Sequence, residues 1–330
     1  MKKAVVIFIA LILEINSFGQ STSNNVLENN IDDLFESYSY YNRFVGSVLI
    51  SKDNHIIYQK SFGYADAEGH KKNTEKSIFG IASLSKSLTA VGIMKLVEDE
   101  KLTLETPIST YFPNFMPDFS KSITIQHLLN NSSGMEANIG RTDDHGNGLM
   151  PEETAITINE ILEKFKDSKL KFDPGTGYDY NNFGYLFLAN IIEKVRGQSY
   201  ANFMEQVVFK PAGMKNTSTA FFNSLNQKAQ PYLGLGMSEF KKFNSPFHSS
   251  WLKGAADMNS TTVDLFKFMQ ALDKGIILKP ASVHKLYTNT QAMGVNNMLS
   301  GLGWVIANKG DDKWVYNNGL LPGYASVMGC

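Results

Sequence analysis

Cysteine is almost missing from this sequence: Cys330, the last of 330 residues, is the only one. A disulfide within the chain is therefore excluded, and neither a cysteine nucleophile nor a cysteine-based metal site is expected. The six histidines show no His-Glu-x-x-His or other ligand spacing, and Asp143-Asp144-His145 is interpreted as a solvated loop. The sequence therefore predicts no metal and no cofactor.

Charge of one sign is also lacking, because 31 basic residues stand against 32 acidic ones. No block of Lys and Arg indicates a nucleic-acid partner or an anionic membrane surface. The chain contains no Gly-x-Ser-x-Gly elbow and no Gly-Lys-Ser/Thr loop, which gives no support to an α/β-hydrolase or a P-loop enzyme. With 43% hydrophobic residues, the composition is that of an ordinary globular protein.

Long apolar runs are missing after the first twenty residues. Lys2 and Lys3 precede the apolar residues 4–13, and Ser17-Phe18-Gly19 follows. This order is typical of a secretory signal peptide over residues 1–19. The run is too short to span about 30 Å of hydrocarbon, and no cysteine follows it to carry a lipid. We therefore expect a periplasmic or secreted protein without a stable membrane span after signal removal.

Hydrophobic periodicity predicts strands at both ends of the chain and helices in the middle. Helices are predicted over 31–38, 83–99, 123–130, 158–165, 185–195 and 260–272. Strands are predicted over 44–50, 55–62, 301–307, 313–317 and 324–328. The pattern favours an α+β fold with an antiparallel sheet flanked by helices. Its sheet part would comprise residues 30–101 and 252–330, with a mostly helical insertion over 102–251 and a site in the cleft between them.

A candidate nucleophile, Ser83, lies at the start of the predicted helix 83–99. A serine hydroxyl needs a base nearby, and residues at i and i+3 share one face of a helix, so Lys86 would lie beside it. The helix N-terminus would favour a developing anion there. The spacing alone is weak, because it recurs at four other places. The alternative is a helix cap with a surface lysine, but the strongly apolar helix that follows favours a buried role.

A second candidate is Tyr180, which follows the Pro174-Gly175 turn and precedes a predicted helix. A phenol beside an ammonium group can act as a base. Tyr-x-Asn occurs five times in the chain, so a packed aromatic side chain is the commoner explanation for any single copy.

Taken together and in order, these features resemble the serine β-lactamase and penicillin-binding-protein-like superfamily. The resemblance is to the branch with class C β-lactamases, D-Ala-D-Ala carboxypeptidases and related esterases. Further segments that carry it are 96–102, 123–129, 132–134, 211–214 and 319–324. It implies the β-lactamase/transpeptidase-like fold.

The resemblance also implies residue roles. Ser83 would attack the substrate carbonyl, while Lys86 and Tyr180 would move protons. Asn182 would orient Lys86 and the substrate amide, and the oxyanion would lie between the Ser83 N–H and an N–H near Leu320. The implied reaction is hydrolysis of an ester, amide or peptide bond, including D-amino peptides and β-lactams, through an acyl-enzyme. Acyl transfer to an acceptor other than water stays open.

The sequence departs from the family pattern at Asn317-Asn318-Gly319, where Lys-Thr-Gly or His-x-Gly is usual. A neutral Asn317 recognises a substrate carboxylate less well than a cation does. Esterase or amidase activity on uncharged substrates is therefore favoured, with Asn317, Gly319 and Leu320 in the substrate-binding set.

The chain ends at Cys330, before the further strand and closing helix that the resemblance implies, so a truncated C-terminus is expected. This early end and the neutral Asn317 leave an alternative open. The protein would then be an inactive relative that binds cell-wall fragments or a partner protein. The predicted partner is otherwise a small-molecule or peptide substrate, and the sequence does not indicate an oligomeric state.

Overall fold

The computed structural model describes residues 22–330, apart from residues 42, 117, 137, 141–148, 220–227, 235–240, 244–247, 296 and 310–311. The predicted signal peptide lies outside the described residues. The helices are α1 (Thr22–Tyr40), α2 (Leu84–Glu98), α3 (Ile125–Leu129), α4 (Ile158–Lys164), α5 (Asn182–Arg196), α6 (Tyr200–Met204), α7 (Lys210–Ala212), α8 (Thr262–Asp273) and α9 (Pro280–Thr288). Short 3-10 turns cover Ile108–Thr110 and Ser249–Leu252, and a π-helical turn covers Glu205–Phe209.

The strands are β1 (Gly46–Lys52), β2 (His55–Phe62), β3 (Tyr64–Asp66), β4 (Lys71–Lys72), β5 (Phe79–Gly80), β6 (Tyr232–Leu233), β7 (Lys241–Lys242), β8 (Asn259–Ser260), β9 (Gln291–Ala292), β10 (Leu299–Ser300), β11 (Val305–Lys309), β12 (Asp312–Leu321) and β13 (Tyr324–Gly329). The largest sheet has the order β13-β12-β11-β10-β9, and its pairings are antiparallel. Helices pack against this sheet, so the predicted α+β fold is confirmed.

The predicted hairpin over 44–62 is present as β1 and β2. Its turn places Asp53 and Asn54 at φ 51° and 62°, a left-handed conformation that these two residue types tolerate better than most. Helix α1 covers the hairpin, with the Phe35 and Phe62 ring centroids 5.8 Å apart.

Helix α2 lies at the centre of the core. Every residue from Leu84 to Met94 is buried, which explains why its sequence is apolar on more than one side. Helix α5 packs beside it and ends at Arg196, where Gly197 follows as the C-cap with φ 62° and stops the helix as predicted. Rings from α5 join an aromatic cluster in which Phe187 lies 4.7 Å from Phe112 between centroids. The two central helices therefore supply a rigid base for residues at their N-termini.

Two strand predictions along β11 and β12 were imprecise. The strand predicted over 301–307 begins only at Val305, because Gly303 adopts a left-handed φ of 81° in a turn packed against α2. A Cβ at Gly303 would lie 2.8 Å from the Ala90 Cβ. Strand β12 in turn continues past the predicted end at Asn317 to Leu321.

Strand β12 has an open edge beside α2. Strand β11 pairs with β12 only as far as Tyr316, whereas β13 pairs with it as far as Leu321. The second half of β12 therefore presents one backbone edge to the start of α2. No helix in the described part of the chain is long and apolar enough to cross a membrane.

Candidate active site

Ser83 stands immediately before α2 at the N-cap position, but its side chain makes no capping hydrogen bond. The preceding Ala82 has φ 47°, which is uncommon for a residue with a Cβ and costs backbone strain. The Ser83 Oγ instead lies 2.6 Å from the Tyr180 hydroxyl. The geometry therefore differs from that of an ordinary helix cap and directs the hydroxyl to a potential base.

Lys86 is buried one helical turn below Ser83, at 3% exposure. Its Nζ lies 3.3 Å from the Ser83 Oγ and donates to the Asn182 Oδ1 at 2.8 Å and to the Ala255 carbonyl at 2.9 Å. Burial lowers the pKa of Lys86, and the neighbouring Tyr180 and Asp257 oppose that shift. The ammonium is thus held on neutral acceptors, next to the candidate nucleophile.

Tyr180 lies over Lys86, whose Nζ is 4.7 Å from the centre of the phenol ring. The Tyr180 carbonyl accepts a hydrogen bond of 2.9 Å from the Asn138 amide. The next residue, Asn181, donates its N–H to the Asn131 Oδ1 at 3.0 Å and caps α5 through Gly184. These bonds hold the Tyr180 phenol just before the N-terminus of α5.

Asn182 is the first residue of α5, and both ends of its side-chain amide are occupied. Its Oδ1 accepts from Lys86, its Nδ2 donates to the Ile139 carbonyl at 2.7 Å, and its N–H donates to Asn138 at 3.0 Å. This pattern fixes the orientation of the amide and places an acceptor towards Lys86.

Asn131 and Asn138 were not singled out in the sequence, although both join this network. For Asn131, the available sequence signal was the polar run Asn130–Ser133 directly after the apolar end of a predicted helix. The structure buries this run, and polar side chains in a core need partners.

Gly319 brings β12 against the start of α2. A Cβ at this position would lie 2.4 Å from the Ile81 carbonyl and 2.8 Å from the Ser83 nitrogen. Val315 and Cys330 exchange both backbone hydrogen bonds across β12 and β13. Because such pairs alternate along an antiparallel ladder, the N–H of Leu320 points away from β13, to the open edge.

Asn317 is turned towards α2. Its Nδ2 lies 3.2 Å from the Ser83 carbonyl, 2.9 Å from the Ser87 Oγ and 3.1 Å from the Gly303 carbonyl. Its Oδ1 accepts the Asn318 N–H at 2.8 Å. The amide thus ties β12 to the helix below the nucleophile. Its contact with a substrate stays a prediction.

The site opens into a cleft of about 460 Å³. Its neutral lining residues are Ser83, Asn131, Tyr178, Tyr180, Tyr185, Met293, Ser300, Gly303, Trp304, Val305, Asn317, Asn318 and Leu320. Among the described lining residues, Lys86 alone carries a charge, and its bonds go to the protein. In the parts of the chain that the structure describes, no three His, Cys, Asp or Glu side chains are grouped to hold a metal.

A family model described as Beta-lactamase matches residues 31–330. The chain belongs to the beta-lactamase family. Penicillin-binding protein 4* of Bacillus subtilis is 31% identical over 315 residues, which cover 90% of this chain and 68% of that protein. The predicted membership of the serine β-lactamase and penicillin-binding-protein-like superfamily is therefore confirmed.

Solved structures of the family have the same fold. The octameric penicillin-binding protein homologue from Pyrococcus abyssi matches with a TM-score of 0.79 at 25% identity, over 92% of this chain and 70% of that one. A D-amino acid amidase from Ochrobactrum anthropi, solved in complex with D-phenylalanine, matches with a TM-score of 0.75 at 26% identity, over 94% of this chain and 88% of that one.

Proposed function

We propose that the protein is a serine hydrolase that forms an acyl-enzyme at Ser83. The observation that carries this proposal is the 2.6 Å contact between the Ser83 Oγ and the Tyr180 hydroxyl, with Lys86 Nζ 3.3 Å from the same Oγ. A hydroxyl needs a base within hydrogen-bond reach to become a nucleophile. Tyr180 and Lys86 together form that base.

In acylation, the Ser83 Oγ bonds to the substrate carbonyl carbon while its proton passes to the Tyr180–Lys86 pair. The same pair then protonates the leaving alcohol or amine as its bond to the carbonyl carbon breaks. A water molecule releases the acyl group by the reverse proton path and restores the serine. Each proton taken from a nucleophile is thus returned to a leaving group.

The negative charge that develops on the carbonyl oxygen needs donors. We assign the backbone N–H of Ser83 and that of Leu320 to this role. Two observations support the assignment. Strand β12 approaches the Ser83 nitrogen closely at Gly319, and the N–H of Leu320 points away from β13 to the open edge of β12. The partial positive charge at the N-terminus of α2 adds to it.

The substrate class follows from the cleft. Its described lining residues offer aromatic and aliphatic surface and neutral amides, and Asn317 is occupied by protein acceptors. Among the described lining residues, a substrate carboxylate would lose its water and meet no free cation, because Lys86 is bonded within the protein. We therefore propose esters or amides with an uncharged acyl part, ahead of β-lactams and D-Ala-D-Ala peptides. Similarity to a D-amino acid amidase supports amide hydrolysis as one of the two reactions.

The test is the intact mass of the purified chain after exposure to a fluorophosphonate and, separately, to a penicillin. The proposal predicts one fluorophosphonate adduct that is absent in Ser83→Ala, and little penicillin adduct. A full penicillin adduct would overturn the substrate class but keep the nucleophile. No adduct in a folded protein would favour the inactive, binding relative instead.

Export is proposed from residues 1–19 alone. We expect the chain, produced with its own N-terminus in a bacterial host, to be recovered outside the cytoplasm, starting near residue 20. Recovery of a chain that starts at Met1 in the cytoplasm would contradict this.

A further inference from the structure

Among the described residues, no carboxylate is hydrogen-bonded to the buried Lys86. Its Nζ lies against three neutral acceptors, the Ser83 hydroxyl, the Asn182 amide oxygen and the Ala255 carbonyl, and it also interacts with Tyr180. A buried ammonium group on neutral acceptors is costly unless a counter-charge is near. The protonation of Lys86 therefore depends on which charges surround it.

The Ala255 carbonyl belongs to a turn that Asp257 closes. The Gly254 N–H donates to the Asp257 Oδ1 at 3.0 Å, and the Gly254 carbonyl accepts from the Thr89 Oγ1 at 2.7 Å. Gly254 has φ 77°, and a Cβ there would lie 2.8 Å from the Tyr185 carbonyl. The turn is thus held from both sides, with the Ala255 carbonyl directed to Lys86.

Asp257 itself is buried at 3% exposure. Its carboxylate interacts electrostatically with Lys86 on α2, with Lys253 on its own loop and with Tyr200 on α6. Lys253 already pairs with Glu193, 2.8 Å from its Nζ. Two cations therefore favour the Asp257 carboxylate, Lys253 first and Lys86 second, and of these only Lys86 also contacts Ser83.

We propose that Asp257 is a positioning residue, which closes the turn that presents the Ala255 carbonyl to Lys86 and supplies the negative charge that holds Lys86 protonated. This inference rests on the proposed acylation of Ser83. Burial raises the pKa of Asp257 to about 7, so this charge is present above neutral pH and disappears below it. Lys86 and Asp257 then titrate as a coupled pair.

The first test is the rate of fluorophosphonate labelling of Ser83 between pH 6 and pH 10. Asp257→Asn and Asp257→Ser both keep an acceptor for the Gly254 N–H but remove the charge. We assign the inflection of the labelling rate above pH 7 to the loss of the Lys86 proton. We expect this inflection to move to lower pH by about half to one unit in both variants, because Lys86 loses its proton more easily without the carboxylate. Asp264→Asn, which removes another buried carboxylate, is the control and keeps the wild-type profile.

The second test does not need an active enzyme. A double-mutant cycle of Lys86→Met and Asp257→Asn, followed by melting temperature, measures the coupling between the two side chains. We expect a departure from additivity of at least about 2 °C at pH 8, which shrinks at pH 5.5.

The outcomes separate the two proposals. Absence of labelling in the wild type contradicts the proposed function, while the cycle still reports on Asp257. Unchanged pH profiles in the Asp257 variants, or additive melting temperatures at both pH values, overturn the inference and leave Asp257 a structural residue only.

Discussion

The Asn317 side-chain amide lies 3.2 Å from the carbonyl oxygen of Ser83, so the strand residue and the nucleophile are joined directly. The resemblance to the family implies a lysine or a histidine where Asn317 stands. In this chain the amide links β12 to the first turn of α2 and spends its donors on the protein. Two consequences are a fixed distance between the strand and Ser83, and a cleft without a cation from this position.

The Asn317 link is tested by Asn317→Asp. A carboxylate cannot donate to the Ser83 carbonyl or the Gly303 carbonyl, so we expect a loss of about 1–3 kcal/mol in the free energy of unfolding and at least about tenfold slower labelling of Ser83. Urea unfolding and labelling rates measure both. Asn318→Asp places the same charge on the exposed neighbouring residue, and an equal loss in that control would refute a specific role for Asn317.

Asn317→His tests the role of charge in substrate choice. We expect improved turnover of carboxylate-bearing substrates relative to their neutral esters, because a cationic imidazole pairs with a carboxylate. The ratio of kcat/KM for matched acid and methyl ester substrates is the measurement. No gain in that ratio in a folded variant would show that the neutral Asn317 does not limit these substrates.

Tyr180→Phe removes the proposed base without changing the ring that packs over Lys86. We expect the labelling rate of Ser83 to fall by about 10²- to 10⁴-fold, with a melting temperature close to that of the wild type. Tyr178→Phe alters a second phenol that lines the same cleft and serves as the matched control. A Tyr180→Phe enzyme with wild-type rates would remove Tyr180 from the mechanism.

Gly319→Ala tests the close approach of β12 to α2. The added Cβ would lie 2.4 Å from the Ile81 carbonyl, so we expect destabilisation of about 1–3 kcal/mol and loss of labelling. Gly184→Ala is the control, because its nearest contact would be 3.6 Å, an ordinary distance. Labelling of Gly319→Ala at the wild-type rate would mean that the approach is not needed for the oxyanion site.

The buried Asp257 also predicts a pH dependence of stability. Its folded-state pKa of about 7 lies above the usual value of 3.8, because burial favours the protonated carboxyl group. The stability that this group contributes is therefore fully present below pH 3.8 and is lost as the pH rises to 7. The free energy of unfolding of the wild type relative to Asp257→Asn should therefore fall between pH 4 and pH 8, by up to about 4 kcal/mol. A constant difference in urea unfolding across this range would contradict the burial of an ionisable group there.

The local parts of the site were readable from the sequence. Ser83 and Lys86 share a helical turn because their spacing is local, and the apolar helix around them marked a buried position. The hairpin 44–62 and the end of α5 at Gly197 were likewise set by turn and cap residues nearby. The fold followed from several family segments in order, where each motif alone recurs elsewhere in the chain.

The long-range parts were not readable. The Ala255 carbonyl reaches Lys86 across 169 positions in sequence, and nothing in the residues around Ala255 signals that contact. The inward direction of Asn317 depends on the pairing of β12 with β13 and on the turn at Gly303. Both the pairing and the turn are decided by packing against α2 and not by local preference. The same packing explains why strand β11 starts at Val305, although the local pattern predicted a start at Gly301.

Acylation of Ser83 is tested most directly by a peptide map of the enzyme quenched in acid during turnover of a slowly hydrolysed neutral ester. We expect an acyl group on the peptide that contains Ser83, located to that serine by fragmentation, and no acylated peptide from Ser83→Ala. Acylation of a different residue, or steady turnover of the ester by Ser83→Ala, would show that Ser83 is not the nucleophile.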